Sequence, residues 1–96
     1  MKVRWTTPAL RDLEAIGDHI GMNDSAAVAA RVVTSILDQA DNLAAFPHMG
    51  RAGRVPGTRE LVVVGSPFIV PYRVRDADVE ILAAFHGARR RPEQFD

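Results

Sequence analysis

The stretch TRELVVVGSPFIVPYRVRDADVEILAAFHG, residues 58–87, decides the fold. It contains three runs rich in apolar, β-branched and aromatic residues, a composition typical of β-strands. Turn residues separate the runs at 65–67 and 76–78. Both gaps are too short for a helical crossover, so we expect neighbouring strands to pair antiparallel as hairpins. The predicted strands cover residues 61–64, 68–74 and 79–85.

Alternation along the middle strand assigns its side chains to two faces of the sheet. Phe68, Val70 and Tyr72 share a face that we expect to lie on the core. Arg73 belongs to the opposite face, which meets water toward the arginine end of the strand. Pro71 has no N–H to donate to a ladder and therefore belongs at an edge or a bulge. The third run is apolar on both faces in its middle, which predicts an inner strand.

Composition limits the kinds of protein this chain can be. Its 96 residues are 47% hydrophobic, which suffices for one domain with a single core. A formal net charge of +0 argues against a strong nucleic-acid or membrane field. The sequence has no cysteine, so disulfides, thiolate zinc sites and cysteine nucleophiles are excluded. No apolar run is long enough to span a membrane and no leader is recognisable, so a soluble cytoplasmic protein is expected.

The zero net charge conceals a basic second half. Residues 49–96 carry eight arginines and six acidic residues, whereas residues 1–48 carry four basic and six acidic ones. Arginine's planar fork suits carboxylate and phosphate recognition, although a GC-rich genome would produce the same bias without functional meaning. The three histidines lie far apart, so neither a metal site nor a bound cofactor is expected.

The segment before the sheet predicts a strand and two helices. After a strand at 2–5, a threonine cap and a proline in the first turn begin a helix that ends near residue 23. A second helix, capped by Asp24 or Ser25, runs to Phe46, and the two must pack as an antiparallel hairpin. Residues 48–57 are predicted to form a surface loop.

The predicted architecture is therefore α+β, in the order β-α-α-β-β-β, with a helical hairpin covering one face of an antiparallel sheet. We expect one domain over residues 1–96, of which 88–96 form a short basic C-terminal tail.

Six short segments mark the boundaries of these elements. They read VRW at 3–5, TPALRDL at 7–13, FPHMGR at 46–51, REL at 59–61, PYRV at 71–74 and VEILAAFHGAR at 79–89. In register and at this spacing, they resemble the RelE/ParE superfamily of bacterial toxins from type II toxin-antitoxin modules, often labelled plasmid stabilisation proteins. The resemblance covers nearly the whole chain. It implies a toxin held inactive by a co-expressed antitoxin, whose flexible C-terminal part wraps the helices and the sheet.

The same resemblance implies one of two targets. RelE-like members are endoribonucleases acting on ribosome-bound mRNA, whereas ParE-like members poison DNA gyrase without a known catalytic centre. Alignment of the middle strand on residues 72–74 places Ile69 where RelE-like enzymes have a catalytic arginine, and Phe95 lies near the place of their tyrosine. The loop before the sheet lacks their lysines. The ParE-like branch is therefore favoured, and a toxin-derived binding module without activity is a third alternative.

Candidate site residues lie on the sheet and in the tail. No residue is catalytic if the protein is ParE-like. In an endoribonuclease, proton transfer and phosphate stabilisation would fall to His86, Arg89 and Arg59. Glu60 and Glu80 are available as ion-pair partners for arginines at the strand ends. Contact with the target or the antitoxin is expected at Arg73, His86, Arg89, Arg90 and Arg91.

Overall fold

Two helices pack on one side of a mixed sheet in the computed structural model, which describes residues 1–88. The predicted order of strands and helices is confirmed, with two additional short strands. The helices are α1 (Thr7–Asn23) and α2 (Ala26–Asp41), and a 3₁₀ turn (Asn42–Ala44) follows α2. The strands are β1 (Lys2–Trp5), β2 (Arg51–Ala52), β3 (Arg59–Val62), β4 (Phe68–Arg75), β5 (Asp78–Ile81) and β6 (Phe85–His86).

The strand order is β1-β5-β4-β3-β2, and β6 pairs with the start of β4. β3, β4 and β5 form the two expected hairpins, and β5 is an inner strand, as predicted. The sheet is not wholly antiparallel, because β1 pairs in parallel with β5. The chain between β1 and β5 contains both helices and three strands, so it is long enough for the crossover that a parallel pair requires. The predicted loop at 48–57 contains β2, whose two residues pair with the first two residues of β3.

Short polar side chains set the helix boundaries. Thr6 Oγ1 accepts a hydrogen bond from Ala9 N at the start of α1 and donates one to Ile81 O at 2.7 Å. The same residue therefore caps the helix and ties the end of β1 to β5. Ser25 Oγ accepts from Val28 N at 3.1 Å and caps α2. The predicted helix to residue 46 was too long, since α2 ends at residue 41 and tightens into the 3₁₀ turn.

The core lies between the helical hairpin and one face of the sheet. Ala9 and Leu13 of α1 and Ile36 of α2 are buried against it. The sheet contributes its helix-facing side chains, as the alternation of β4 predicts. They are Leu61, Val63, Val70, Tyr72, Val79 and Ile81, all buried.

A bulge interrupts the sheet at Pro71. Ile69 pairs with Phe85 and Tyr72 pairs with Ile81. Between these two pairs β4 has two residues, whereas the returning chain has three, so one residue is extra. Pro71 O accepts from Leu82 N at 2.9 Å, and in a strand the N and O of one residue point to the same side. The position of the missing proline N–H therefore faces the bulge, as expected. The prediction of one continuous strand over 79–85 was wrong for this reason.

Candidate functional site

A row of three charged side chains crosses the sheet on the face turned away from the helices. Arg4 of β1 and Arg73 of β4 both lie directly opposite Glu80 of β5. Glu80 Oε2 accepts from Arg4 Nη2, and Oε1 accepts from Arg73 Nε at 2.8 Å. The Glu80 side chain is only 7% exposed, whereas those of Arg73 and Arg4 are 27% and 51% exposed. One buried carboxylate thus holds two partly exposed guanidinium groups in fixed positions.

The two arginines set the ionisation of Glu80. Burial alone would raise the pKa of this carboxyl, but the hydrogen bond and charge of Arg73, together with those of Arg4, outweigh burial and hold the pKa below 4.5. Glu80 therefore remains ionised near neutral pH, and the row keeps a net positive charge.

A second buried carboxylate lies on the same face. Glu60 of β3 is opposite Arg51 of β2, and its Oε1 accepts from Arg51 Nε at 3.2 Å and Nη2 at 3.1 Å. Arg59 takes no part in this pair, because it is adjacent to Glu60 along β3 and points to the other face. The expected pairing of a strand arginine with Glu80 is thus confirmed for Arg73. Glu60 forms its ion pair with Arg51 rather than with Arg59.

Tyr72 and Arg59 hold the loop before β2 against the sheet. The hydroxyl of Tyr72 donates to Pro47 O at 2.8 Å and accepts from Gly50 N at 2.9 Å. Arg59 Nη1 donates to His48 O at 3.2 Å and Gly50 O at 2.9 Å. These bonds satisfy backbone groups of a loop that has no ladder of its own. Both side chains are therefore engaged in structural contacts.

Burial makes Tyr72 sensitive to alkaline conditions. Burial raises the pKa of Tyr72 above 10.0, outweighing the Gly50 N–H bond and the Arg59 charge, which lower it. The unfolded chain then loses its phenolic proton at a lower pH than the folded chain does. The stabilisation by neutral Tyr72 is therefore complete below pH 10.0 and is lost as the pH rises through the raised value.

We expect Tyr72→Phe to lower the free energy of unfolding by about 1–3 kcal/mol near neutral pH, since two loop groups lose their partner. The difference from the parent chain should shrink above pH 10.0. Urea unfolding at several pH values measures both effects. Tyr72 is the only tyrosine, so tyrosinate absorbance reports it alone. If the free energies of unfolding of Tyr72→Phe and the parent chain differed by the same amount throughout the alkaline range, the structural role of the Tyr72 hydroxyl would be contradicted.

His86 lies at the end of the sheet with one ring nitrogen occupied. Its ring meets Phe68 edge-on, with centroids 5.8 Å apart and an interplanar angle of 80°. Its Nδ1 accepts from Ala88 N at 3.1 Å. The neutral ring therefore carries its proton on Nε2, which then has no lone pair with which to act as a base. Proton abstraction by His86 would require this arrangement to change.

The predicted site residues do not form one cluster within residues 1–88. Arg73 belongs to the charged row, His86 lies near the start of β4, and Arg59 is bonded to the loop carbonyls. Arg89, Arg90, Arg91 and Phe95 lie outside the described residues. Ile69 is buried and lies opposite Phe85. Among residues 1–88, no group of three or more potential metal ligands occurs, and no helix is long and apolar enough to cross a membrane.

Sequence reasoning missed the participation of Arg4 and Arg51. Both belong to short strands whose partners lie in the second half of the chain. Their alternation relative to Glu80 and Glu60 could be assigned only once the register of the sheet was known. No local motif would have revealed it.

Comparison with known proteins identifies the class of protein to which this chain belongs. The family model described as ParE toxin of type II toxin-antitoxin system, parDE, matches residues 3–91. The chain belongs to this family and is a toxin of a type II toxin-antitoxin module.

Individual relatives agree with this assignment. The chain is 47% identical to the candidate toxin Y4kP of Sinorhizobium fredii over 96% of its own length and 94% of the relative's. It is 42% identical to Toxin RelE2 of Caulobacter vibrioides, covering 92% and 97% of the two chains. The chromosomal ParDE system of P. aeruginosa contains a chain of similar structure, with a TM-score of 0.83, 34% identity and coverage of 90% and 95%. The RelBE2 toxin-antitoxin complex of Mycobacterium tuberculosis gives a TM-score of 0.67 at 26% identity, with coverage of 88% and 95%.

Proposed function

We propose that this toxin is ParE-like, that it inhibits growth by binding and poisoning DNA gyrase in the cytoplasm, and that it acts without catalysing a reaction. The observation that carries the proposal is the engagement of Tyr72, Arg59 and His86 in structural contacts. Ribonucleolytic attack by a 2′-hydroxyl needs a free base and a cation placed beside the phosphate. These three side chains do not provide that combination.

The middle strand supports the same proposal. Ile69 is buried, at the position where the RelE-like resemblance requires a catalytic arginine. Two guanidinium groups on the sheet are instead held in place by Glu80, and the side chains of Arg4 and Arg73 are 51% and 27% exposed. Arginines fixed by a buried carboxylate are preorganised for contact with a protein surface, because little side-chain freedom remains to be lost on binding. We therefore assign Arg4 and Arg73 to the target-binding surface.

The antitoxin is the second partner of the proposed function. Two solved structures similar to this chain are a ParDE system and a RelBE2 toxin-antitoxin complex. By this likeness, a cognate antitoxin neutralises the toxin in a hetero-oligomer.

Supercoiling and mRNA-cleavage assays on the purified chain distinguish the two targets. We expect inhibition of gyrase supercoiling while ribosome-bound mRNA remains intact. Arg73→Gln should weaken inhibition about tenfold, as loss of a central interface arginine does. Arg11→Gln, an exposed change on α1, is the matched control and should have no effect.

Two other outcomes of these assays would contradict the proposal, and each would indicate a different function. Cleavage of ribosome-bound mRNA that disappears in His86→Ala, with normal gyrase activity, would replace the proposal by the endoribonuclease. Absence of both activities, and of toxicity when the chain is expressed without its antitoxin, would indicate an inactive binding module. Thermal unfolding of each variant verifies that the fold is retained.

A further inference from the structure

A second row of charged side chains lies beside the row that Glu80 organises, on the same face of the sheet. Lys2 of β1 and Arg75 of β4 both lie directly opposite Asp78 of β5. Each of the three is two residues along its strand from a member of the first row, and alternate residues of a strand point to the same face. The pattern of cation, carboxylate and cation is therefore repeated about 7 Å further along the strands.

The cations of the second row are not held by a carboxylate. Within residues 1–88, neither Lys2 nor Arg75 forms an ion pair, although Asp78 lies opposite both. Both cations are exposed. Asp76 belongs to the turn between β4 and β5 and lies outside the two rows. The N–H donors of Lys2 and Arg75 are therefore available to a partner molecule.

The four cations of the two rows form two columns, and together they define what we call the four-cation face. One column is Lys2 and Arg4 on β1, the other is Arg73 and Arg75 on β4, and β5 lies between them. Neighbouring strands are about 4.8 Å apart, so the columns are about 10 Å apart. Four cationic side chains against the two carboxylates of β5 leave a net charge of +2. The four-cation face therefore favours an acidic partner.

An α-helix with an acidic stripe matches this arrangement. Residues i and i+4 of a helix are about 6 Å apart along its axis and lie on one side of the stripe, whereas residues i+3 and i+7 lie on the other side. With its axis above β5, a helix about 10 Å in diameter can place one pair of carboxylates over each column. In the described part of the chain, both helices lie on the opposite face of the sheet, so the four-cation face has room for a helix from another protein.

Other acidic ligands fit less well. An extended peptide presents its carboxylates to the sheet in a single line, because only alternate side chains point toward it, and it reaches one column only. A nucleic-acid strand also presents its phosphates in a line, and the formal net charge of +0 gives this chain no long-range attraction for nucleic acid. The two columns therefore favour a helix.

We propose that the four-cation face binds an acidic α-helix of a partner protein, with glutamate or aspartate at positions i, i+3, i+4 and i+7. The inference rests on the proposed function in taking gyrase as that partner. Arg4 and Arg73 are already fixed by Glu80 and set the position of the helix. Lys2 and Arg75 add exposed charge that speeds the encounter and strengthens the complex.

The test measures binding of a synthetic helical peptide to the full chain by NMR titration. The peptide has about 20 residues, mostly alanine and glutamine, and carries four glutamates at the proposed spacing. We expect amide shifts in β1, β4 and β5. A control peptide of the same composition, with its glutamates distributed around the helix, should bind about tenfold more weakly. Binding should weaken when the salt concentration rises from about 0.01 M to about 0.15 M, because the charges are exposed.

Variants of the second row test which side chains bind the peptide. Lys2→Gln and Arg75→Gln should each weaken binding about threefold, and the double variant about tenfold, because each change removes one exposed ion pair. Arg31→Gln, an exposed change on α2, is the matched control and should bind like the parent chain. Unchanged affinity in the double variant would overturn the proposal. Tighter binding of an extended peptide in which glutamate alternates with threonine, or of a DNA oligonucleotide, would also overturn it.

A gyrase supercoiling assay separates this inference from the proposed function. The double variant should lose inhibition by the same factor by which it loses affinity for the peptide. If the parent chain inhibited gyrase and the double variant inhibited it equally well, the role of the four-cation face would be refuted and the gyrase target retained. If the parent chain bound the peptide and did not inhibit gyrase, the gyrase target would be refuted and the acidic-helix site retained.

Discussion

Gly50→Ala is expected to destabilise the toxin by about 3 kcal/mol, at the upper end of the usual cost of overpacking. A Cβ at this position would lie 2.6 Å from both Cε1 and the hydroxyl of Tyr72, and 2.9 Å from Glu60 O. None of these atoms can move freely, because Tyr72 is buried and bonded to the loop on both sides of its hydroxyl. The added methyl group must therefore separate the loop from the sheet. Urea unfolding measures the loss.

Gly21→Ala is the control, and it is expected to raise the free energy of unfolding instead of lowering it. A Cβ on Gly21 would meet only Ala29 Cβ at 3.8 Å, an ordinary contact, and alanine favours the helix by about 0.5–1 kcal/mol. This variant should be more stable than the parent.

Combining Gly50→Ala with Tyr72→Phe should cost less than the sum of the two single changes, because removal of the hydroxyl opens space for the methyl group. Strict additivity would mean that the Tyr72 hydroxyl does not limit the space at Gly50.

Glu80→Gln is expected to lower the free energy of unfolding by about 2 kcal/mol near neutral pH. The change keeps the shape of the side chain but leaves two guanidinium groups without their shared carboxylate. Loss of one partner from a buried pair costs about 3–5 kcal/mol. Here the cost is smaller because the Arg4 side chain is 51% exposed and water partly replaces its partner. Glu14→Gln, an exposed change on α1, should have little effect.

The acid dependence of Glu80→Gln gives a separate check. The folded-state pKa of Glu80 lies below its ordinary 4.5, so the unfolded chain takes up the proton first as the pH falls. The stabilisation by ionised Glu80 is complete above 4.5 and is lost as the pH falls through the folded-state value. The difference between parent and variant should therefore narrow in acid. A difference that stays the same from about pH 7 to about pH 3 would show that the carboxylate charge does not stabilise the fold.

The sequence was informative where local chemistry decides structure. Apolar runs and turn residues gave the β3–β5 hairpins, and the cap at Thr6 gave the start of α1. The proline at 71 correctly indicated an irregularity, because its missing donor is a property of the residue itself. The predicted end of α2 and the continuous last strand were wrong. Both depend on how distant segments pack, which periodicity along the chain does not contain.

The candidate site was less accessible to sequence reasoning. Alternation placed Arg73 on the face away from the core, but Arg4 joins it only because β1 lies in parallel beside β5. Gln39 gave no signal at all, since a glutamine on a helix is ordinary and its bonds to Val64 cross 25 residues. Side-chain contacts over such separations follow from the completed fold. The predicted contacts at Arg89, Arg90 and Arg91 stay predictions.

The parallel pairing of β1 with β5 also governs when a newly made chain becomes a folded toxin. Arg4 and Glu80 are 76 residues apart, so β1 is synthesised well before β5 and has no strand to pair with until β5 has been made. At about 5–20 residues per second, that interval lasts about 4–15 s. Pairing over so long a separation also slows folding itself. A chain that is cut short before residue 78 lacks the strand that joins β1 to β4, so premature termination yields no completed sheet.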